Sequence, residues 1–127
     1  MRIEIKEILD SEKKIVNFES QIGVGIGLWK SSIAPVKNAI YSIEFNINDF
    51  LILGENAFEE LRGNYSISIS NNNMILEGII EDIDEDGMAY YRLGTDCIIM
   101  LESDKENLYN GMWLKIIIDI LDVEIWT

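Results

Sequence analysis

Apolar and polar residues alternate with a period of two along most of this chain. The clearest case is Tyr41, Ile43, Phe45 and Ile47, which alternate with serine, glutamate and asparagine. This pattern is typical of a strand with one face on a core and the other in water. Similar patterns predict further strands near Ile3–Ile5, Tyr65–Ile69, Met74–Ile83, Met88–Leu93, Cys97–Leu101 and Met112–Ile125. The spacing predicts an all-β fold, either a sandwich or a barrel.

Two details favour a barrel. In the last predicted strand the apolar positions change from even to odd numbers near Ile120, which indicates a bulge or sharp bend of the kind that closes small barrels. Gly23, Gly25 and Gly27 alternate with apolar residues, so one face of that strand has no side chains and admits another backbone or a bulky ring. We expect one domain, residues 1–127, folded as a small closed or partly open antiparallel barrel of about seven to eight strands.

One short helix is predicted over residues 57–62. Asn56 is a suitable N-cap, and Glu59 and Glu60 place acidic groups near the positive end of such a helix. Gly63 is a suitable C-terminal stop.

From residue 76 onward the order of features is Leu76-Glu77-Gly78-Ile79-Ile80, an acidic turn to Gly87, a strand ending at Leu93-Gly94, and then Gly111-Met112-Trp113-Leu114-Lys115-Ile116. Over residues 76–125 this order resembles an S1-like OB-fold. The resemblance implies a small β-barrel. It also implies the ligand typical of that family, single-stranded nucleic acid held by basic grooves and stacking aromatic rings.

The charge of the chain argues against that ligand. Lysine and arginine number 10 and aspartate and glutamate 23, with no histidine, so the formal charge is −13. Residues 64–127 contain only three basic groups, Arg92, Lys105 and Lys115. Such a field repels nucleic acid and anionic membranes and attracts basic proteins and cations. We therefore expect neither a nucleic-acid nor a membrane partner.

The apolar runs and the single cysteine bear on the location of the protein and on the state of its thiol. No apolar run is long enough to span a bilayer, and residues 1–10 do not resemble a secretion signal, so a cytoplasmic location is expected. Cys97 is the single cysteine and lies in an apolar run, where a thiol usually behaves as a small buried hydrophobe.

Enzymatic signatures are nearly absent. Without histidine the chain lacks the commonest general base, the Ser-His-Asp and Cys-His arrangements and the usual zinc ligands. We therefore expect no catalytic activity and no cofactor.

The sharpest local motif is Asp82-Ile83-Asp84-Glu85-Asp86-Gly87, which matches the opening of a calcium loop. Its twelfth position is Leu93 rather than the bidentate glutamate. A β-hairpin turn over residues 84–87 explains the same residues, and calcium held by Asp82, Asp84 and Asp86 is the alternative.

The leading functional hypothesis is an acidic protein-binding module for a basic partner. Small inhibitors and immunity proteins of bacterial toxin systems are similar in size and charge, and an acidic field accelerates association with a basic cleft. Tryptophan is common at interface hot spots. The candidate contact residues are Glu81, Asp82, Asp84, Glu85, Asp86, Asp104 and Glu106, with Trp29 and Trp113 as anchors if exposed.

Two other functions remain open. One is a structural or accessory barrel that forms a homo-oligomer through its strand edges and uses its acidity only to stay in solution. The other is a barrel that binds a small ligand in an aromatic-lined pocket.

Overall fold

The structure, a computed structural model, describes residues 1–104 and 106–127. Over these residues the chain forms thirteen β-strands and one short 3₁₀ turn, and no α-helix. The strands are β1 (Arg2–Asp10), β2 (Ile15–Ser20), β3 (Gly23–Trp29), β4 (Ile40–Ser42), β5 (Glu44–Ile47), β6 (Phe50–Leu51), β7 (Ala57–Glu60), β8 (Ser66–Ser70), β9 (Asn73–Ile83), β10 (Met88–Arg92), β11 (Ile98–Ser103), β12 (Trp113–Asp119) and β13 (Val123–Trp126). The all-β class is confirmed.

The described strands form a single sheet. Its main path runs β4-β1-β2-β3-β8-β9-β10-β11-β6, with β12 joining β9 to β7 and β13 joining β3 to β5. Most pairs are antiparallel, but β3 pairs in parallel with β8 and β13, and β6 with β11. The sheet does not close. Among the described strands β5 pairs with β13 and β6 pairs with β11, but β5 pairs with neither β6 nor β11. The expected OB-like barrel of seven to eight strands, closed or partly open, is not confirmed. Turns and bends divide the chain into shorter and more numerous strands.

One face of the sheet forms the core. Every second residue of β11 and β12 is buried there, including Ile99, Leu101, Leu114 and Ile116, all with no exposed area. The intervening residues face outward, which is why the sequence alternates.

The glycines of β3 allow close approach, as their alternation indicates. Gly25 pairs with Phe18 on β2, and a β-carbon at position 25 would lie 2.3 Å from the tip of the Phe18 ring. Gly23 has φ +138°, and a β-carbon there would lie 1.9 Å from the carbonyl oxygen of Ile67. A ring and a neighbouring backbone thus occupy the space that side chains would need.

The helix predicted over residues 57–62 is wrong. Ala57–Glu60 is strand β7, antiparallel to β12, with Ala57 fully buried opposite Ile116. Asn56 is not an N-cap of a helix, since its side chain accepts a hydrogen bond from the Ile52 amide and donates one to the Phe50 carbonyl, both at 2.8 Å. A segment this short has little helical stability of its own, so pairing with the apolar strand β12 decides its conformation.

The bend predicted near Ile120 is present. Strand β12 ends at Asp119, the 3₁₀ turn spans Ile120–Asp122, and β13 begins at Val123. The Asp119 carboxylate accepts a hydrogen bond from the Leu121 amide at 2.9 Å and caps the turn. The change of apolar phase therefore marks the point where the chain leaves β9 and β7 and joins β3 and β5.

Candidate protein-binding surface

Residues 84–87 of the acidic motif form a hairpin turn between β9 and β10, as the first interpretation predicts, while Asp82 and Ile83 belong to β9. The amide of Asp84 donates to the Met88 carbonyl at 3.0 Å, and Gly87 has φ +85°. The Asp84 carboxylate accepts hydrogen bonds from the amides of Asp86 and Met88 at 3.0 and 2.9 Å. Asp84 thus shapes the turn with its side chain, an arrangement common for aspartate at turns.

The calcium alternative has no matching geometry. Asp84 is engaged within its own turn, and Asp82 accepts hydrogen bonds from the Ile83 amide and the Asn110 side chain. Within residues 1–104 and 106–127, no group of three or more acidic or cysteine side chains is arranged to hold a metal ion. Calcium needs six to eight oxygen ligands, which this turn does not gather.

Two acidic segments that are separate in sequence meet at one end of the sheet. Ser103, the last residue of β11, donates to the Gly87 carbonyl from its amide at 2.9 Å and from its buried hydroxyl at 2.8 Å. These bonds hold the turn at residues 84–87 against the end of β11. Asp104 follows directly and is exposed, as is Glu106. The grouping of the predicted acidic residues depends on this contact.

Beside the acidic turns lies an exposed apolar surface that the sequence analysis missed. On β11, Ile98 and Met100 are 45% and 57% exposed. Across the strands, Met88 pairs with Glu102, and Glu102 pairs with Phe50, which is 42% exposed. We call the outward side chains Phe50, Met88, Tyr90, Ile98, Met100 and Glu102 the β10–β11 face. Exposed methionine and aromatic side chains grouped in this way are typical of interaction surfaces.

A signal for this face exists in the sequence. The run from Cys97 to Leu101 is wholly apolar and looks buried on both sides. Glu102, however, has the same strand phase as Met100 and Ile98, so a solvated Glu102 places those two side chains outward as well.

Acidic groups surround the β10–β11 face. Glu81 and Asp82 lie on β9, and Asp82 pairs across the strands with Tyr90. Arg92 on β10 is the basic group at this position, and its guanidinium donates to both oxygens of the Glu81 carboxylate at 2.9 and 3.1 Å. It also donates to the carbonyls of Gly94 and Thr95. Glu81 therefore neutralises this arginine.

The two candidate tryptophans differ in how far they are exposed. Trp29 is only 1% exposed, with its ring packed edge-on against Tyr41 and its indole N–H donating to the Ile33 carbonyl at 2.6 Å. Trp29 therefore does not meet the condition of exposure under which it was expected to anchor a partner. Trp113 is half-buried, with its ring between Gly63 and Tyr65.

A carboxyl pair lies on another part of the sheet, at Glu60 of β7 and Glu77 of β9. Burial raises the pKa of Glu60, and the hydrogen bond and charge of Glu77 raise it further, while Lys115 opposes the shift. Glu77 accepts a hydrogen bond from the Ser66 hydroxyl at 2.6 Å. Among the described residues no hydrogen-bond partner reaches the buried Oε1 of Glu60.

Cys97 is buried, as its apolar surroundings predict. Burial raises the pKa of its thiol to about 11, so the thiol stays protonated at neutral pH. A protonated, inaccessible thiol is a poor nucleophile.

Comparisons outside the molecule add no functional assignment. Among the described residues no helix has the length and apolarity needed to cross a membrane. No protein-family model matches the chain, and neither a curated protein nor a solved structure shows a significant match to it.

Proposed function

We propose that this protein is an acidic protein-binding module that receives a basic partner on the β10–β11 face and the adjoining turns. The observation that carries the proposal is the pair of hydrogen bonds from Ser103 to the Gly87 carbonyl. These bonds bring the turn at residues 84–87 beside Asp104, next to exposed apolar side chains of β11.

The two parts of this surface have different roles. Burial of Ile98, Met100 and Phe50 by a partner supplies affinity, because removal of apolar area from water is favourable by roughly 25 cal/mol per Å². The carboxylates act mainly on the rate of encounter and on the choice of partner, since exposed charge pairs contribute only about 0–1 kcal/mol each. An apolar centre within a charged border is the usual anatomy of a protein interface.

The class of partner follows from the charge. A protein with a basic cleft, such as a nuclease, suits a surface of this sign, and a cytoplasmic inhibitor or immunity protein is the role we infer. Nucleic acid and anionic membranes carry the wrong charge. We propose no catalytic activity and no cofactor, since the chain has no histidine, the commonest general base.

The test compares three forms of the protein on affinity resin with lysate of the source cells. The first is the wild type, the second Asp86→Asn/Asp104→Asn/Glu106→Gln, and the third Glu7→Gln/Glu12→Gln/Glu19→Gln. The third form removes the same charge from the β1–β2 hairpin, which β3, β8 and β9 separate from β10 in the sheet. We expect a basic protein retained by the first and third forms but not by the second.

Association kinetics with the captured protein complete the test. Steered association slows by one or more orders of magnitude as salt rises from low to high concentration. A rate independent of salt contradicts the electrostatic proposal. If light scattering instead finds an oligomer that does not change with concentration, and no other protein is retained, the homo-oligomeric alternative replaces it.

A further inference from the structure

A groove crosses the place where the sheet fails to close. It lies between β5 and the segment to β6 on one side and β10 and β11 on the other, and has a volume of about 510 Å³. Its apolar walls are Phe50, Met88 and Met100. Grooves of roughly 300–1,000 Å³ are the size that proteins use to enclose a ligand group.

Two carboxylates lie in the same groove. Glu102 pairs with Met88 on one side and with Phe50 on the other, so its carboxylate stands between a thioether and an aromatic ring. Asp49 accepts hydrogen bonds from the Phe50 amide at 2.8 Å and the Asn56 side chain at 3.3 Å. No described lysine or arginine lies within ion-pair distance of either carboxylate.

The surroundings of Asp49 add to the negative field. Burial raises the pKa of Asp122, and the neighbouring charges of Asp49 and Asp119 raise it further. Asn46 and Asn48 also line the groove, and the Asn46 amide donates to the Asn48 side-chain oxygen at 3.2 Å. The groove therefore combines carboxylates, which favour positive charge, with apolar walls, which favour hydrocarbon.

We propose that this groove binds one arginine or lysine side chain of the basic partner, with the aliphatic stem on Met88, Met100 and Phe50 and the cationic head at Asp49 and Glu102. This inference rests on the proposed function and names the group that the partner inserts. Long basic side chains bury their stems against apolar surface while keeping the head in polar surroundings. Phe50 adds a ring face suited to a cation. The two carboxylates repel an anion. A purely apolar side chain would displace the water that solvates them without supplying a hydrogen bond or a positive charge in its place.

The test uses a short probe rather than the whole partner. A capped Gly-Arg-Gly peptide is titrated into the full-length, ¹⁵N-labelled protein, and two-dimensional NMR follows the backbone amides. The neutral control peptide carries citrulline, which has the shape of arginine without its charge, and a lysine peptide with a norleucine control tests the second cation. We expect saturable shifts at Phe50, Met88, Met100 and Glu102 at roughly millimolar peptide, since one side chain supplies little affinity.

Variants localise the site. Glu102→Gln is expected to weaken binding of the arginine peptide by about 2- to 5-fold, the effect of losing one exposed charge pair. Met100→Ala, at an exposed position, should weaken it by removing packing for the stem. Glu12→Gln removes the same charge from the distant β1–β2 turn and should leave the titration close to that of the wild type.

Three results would overturn the groove assignment. These are equal shifts with the citrulline peptide, shifts spread over the acidic turns but absent from the groove, and equal weakening by Glu102→Gln and Glu12→Gln. If the basic partner is captured but Glu102→Gln does not change its affinity, the groove assignment is wrong while the proposed function stands. If no partner is captured, the proposed function fails while the peptide titration still decides whether the groove takes a cationic side chain.

Discussion

The hydroxyl of Tyr91 offers a sharp test of the packing described here. Tyr91 extends from β10 across Gly78 of β9, where a β-carbon would lie 2.8 Å from its ring, and reaches β12. Its hydroxyl donates to the Leu114 carbonyl at 2.9 Å, and the side chain is fully buried. Tyr91→Phe removes a single oxygen and leaves the ring in place.

The expected cost is about 1–2 kcal/mol of the free energy of unfolding. A typical net hydrogen bond contributes about 0.5–1.5 kcal/mol, and a buried group left with fewer partners costs about 1–3 kcal/mol. Leu114 lies in a paired strand between β7 and β9, which favours the lower part of that range. With a urea dependence of about 2 kcal/mol/M, the middle of the usual range, the unfolding midpoint should fall by roughly 0.5–1 M.

Equilibrium unfolding in urea, followed by tryptophan fluorescence and circular dichroism, measures this change. Tyr90→Phe is the matched control, since Tyr90 lies on the same strand with its side chain on the outer face. The Tyr90 hydroxyl is 3.5 Å from the Asp84 carboxylate, the limit of a hydrogen bond. We therefore expect Tyr90→Phe to lower the free energy of unfolding by less than about 0.5 kcal/mol. Equal midpoints for the two variants would refute the reasoning.

Alkaline pH gives a second readout of the same group. Burial holds the pKa of Tyr91 well above its ordinary value of 10.0. The unfolded chain loses this proton above that pH while the folded chain keeps it, so the wild type should lose stability there. Tyr91→Phe cannot lose a proton, and the difference between the two proteins should therefore shrink as pH rises above 10.0.

Three further predictions concern other sites. The pKa of Glu60 is raised in the folded protein, so its contribution to stability is present at acid pH and is lost as pH rises above 4.5. The unfolding free energy of the wild type should therefore fall between acid and neutral pH, and Glu60→Gln should make that fall smaller. Gly25→Ala places a β-carbon against the Phe18 ring and should cost about 1–3 kcal/mol in urea unfolding; no loss would contradict the close approach. Cys97, with a pKa of about 11, should react with a thiol reagent at pH 8 only at the rate of unfolding, and rapid labelling would show that it is accessible.

The sequence predicted features that depend on neighbouring residues. The alternation in β9 and β10 follows from the need to bury one face, and the turn at Asp84–Gly87 follows from aspartate and glycine at positions that stabilise it. The glycines of β3 were recognised because missing side chains leave room that something must fill. In each case the physical cause lies within a few residues.

The features that escaped prediction depend on distant parts of the chain. Ala57–Glu60 looks like the start of a helix until β12 pairs with it, and β12 lies more than fifty residues later. The contact between Ser103 and Gly87 groups the acidic segments, yet serine at the end of a strand has no distinctive pattern. The groove at the interrupted edge requires the positions of β5 and β11, which no local pattern determines.

The position of β13 also bears on how the chain reaches this fold. Val123–Trp126 lies between β3 and β5, and Glu124 pairs in parallel with Leu28, roughly a hundred residues earlier. Pairing residues so far apart in sequence loses chain entropy before the contacts between them form. We therefore expect this protein to fold in milliseconds to seconds. Until β13 docks, β5 lacks its strand partner and β3 is unpaired on one edge at Leu28 and Trp29. The partly folded chain is therefore open to wrong strand pairing until β13 docks.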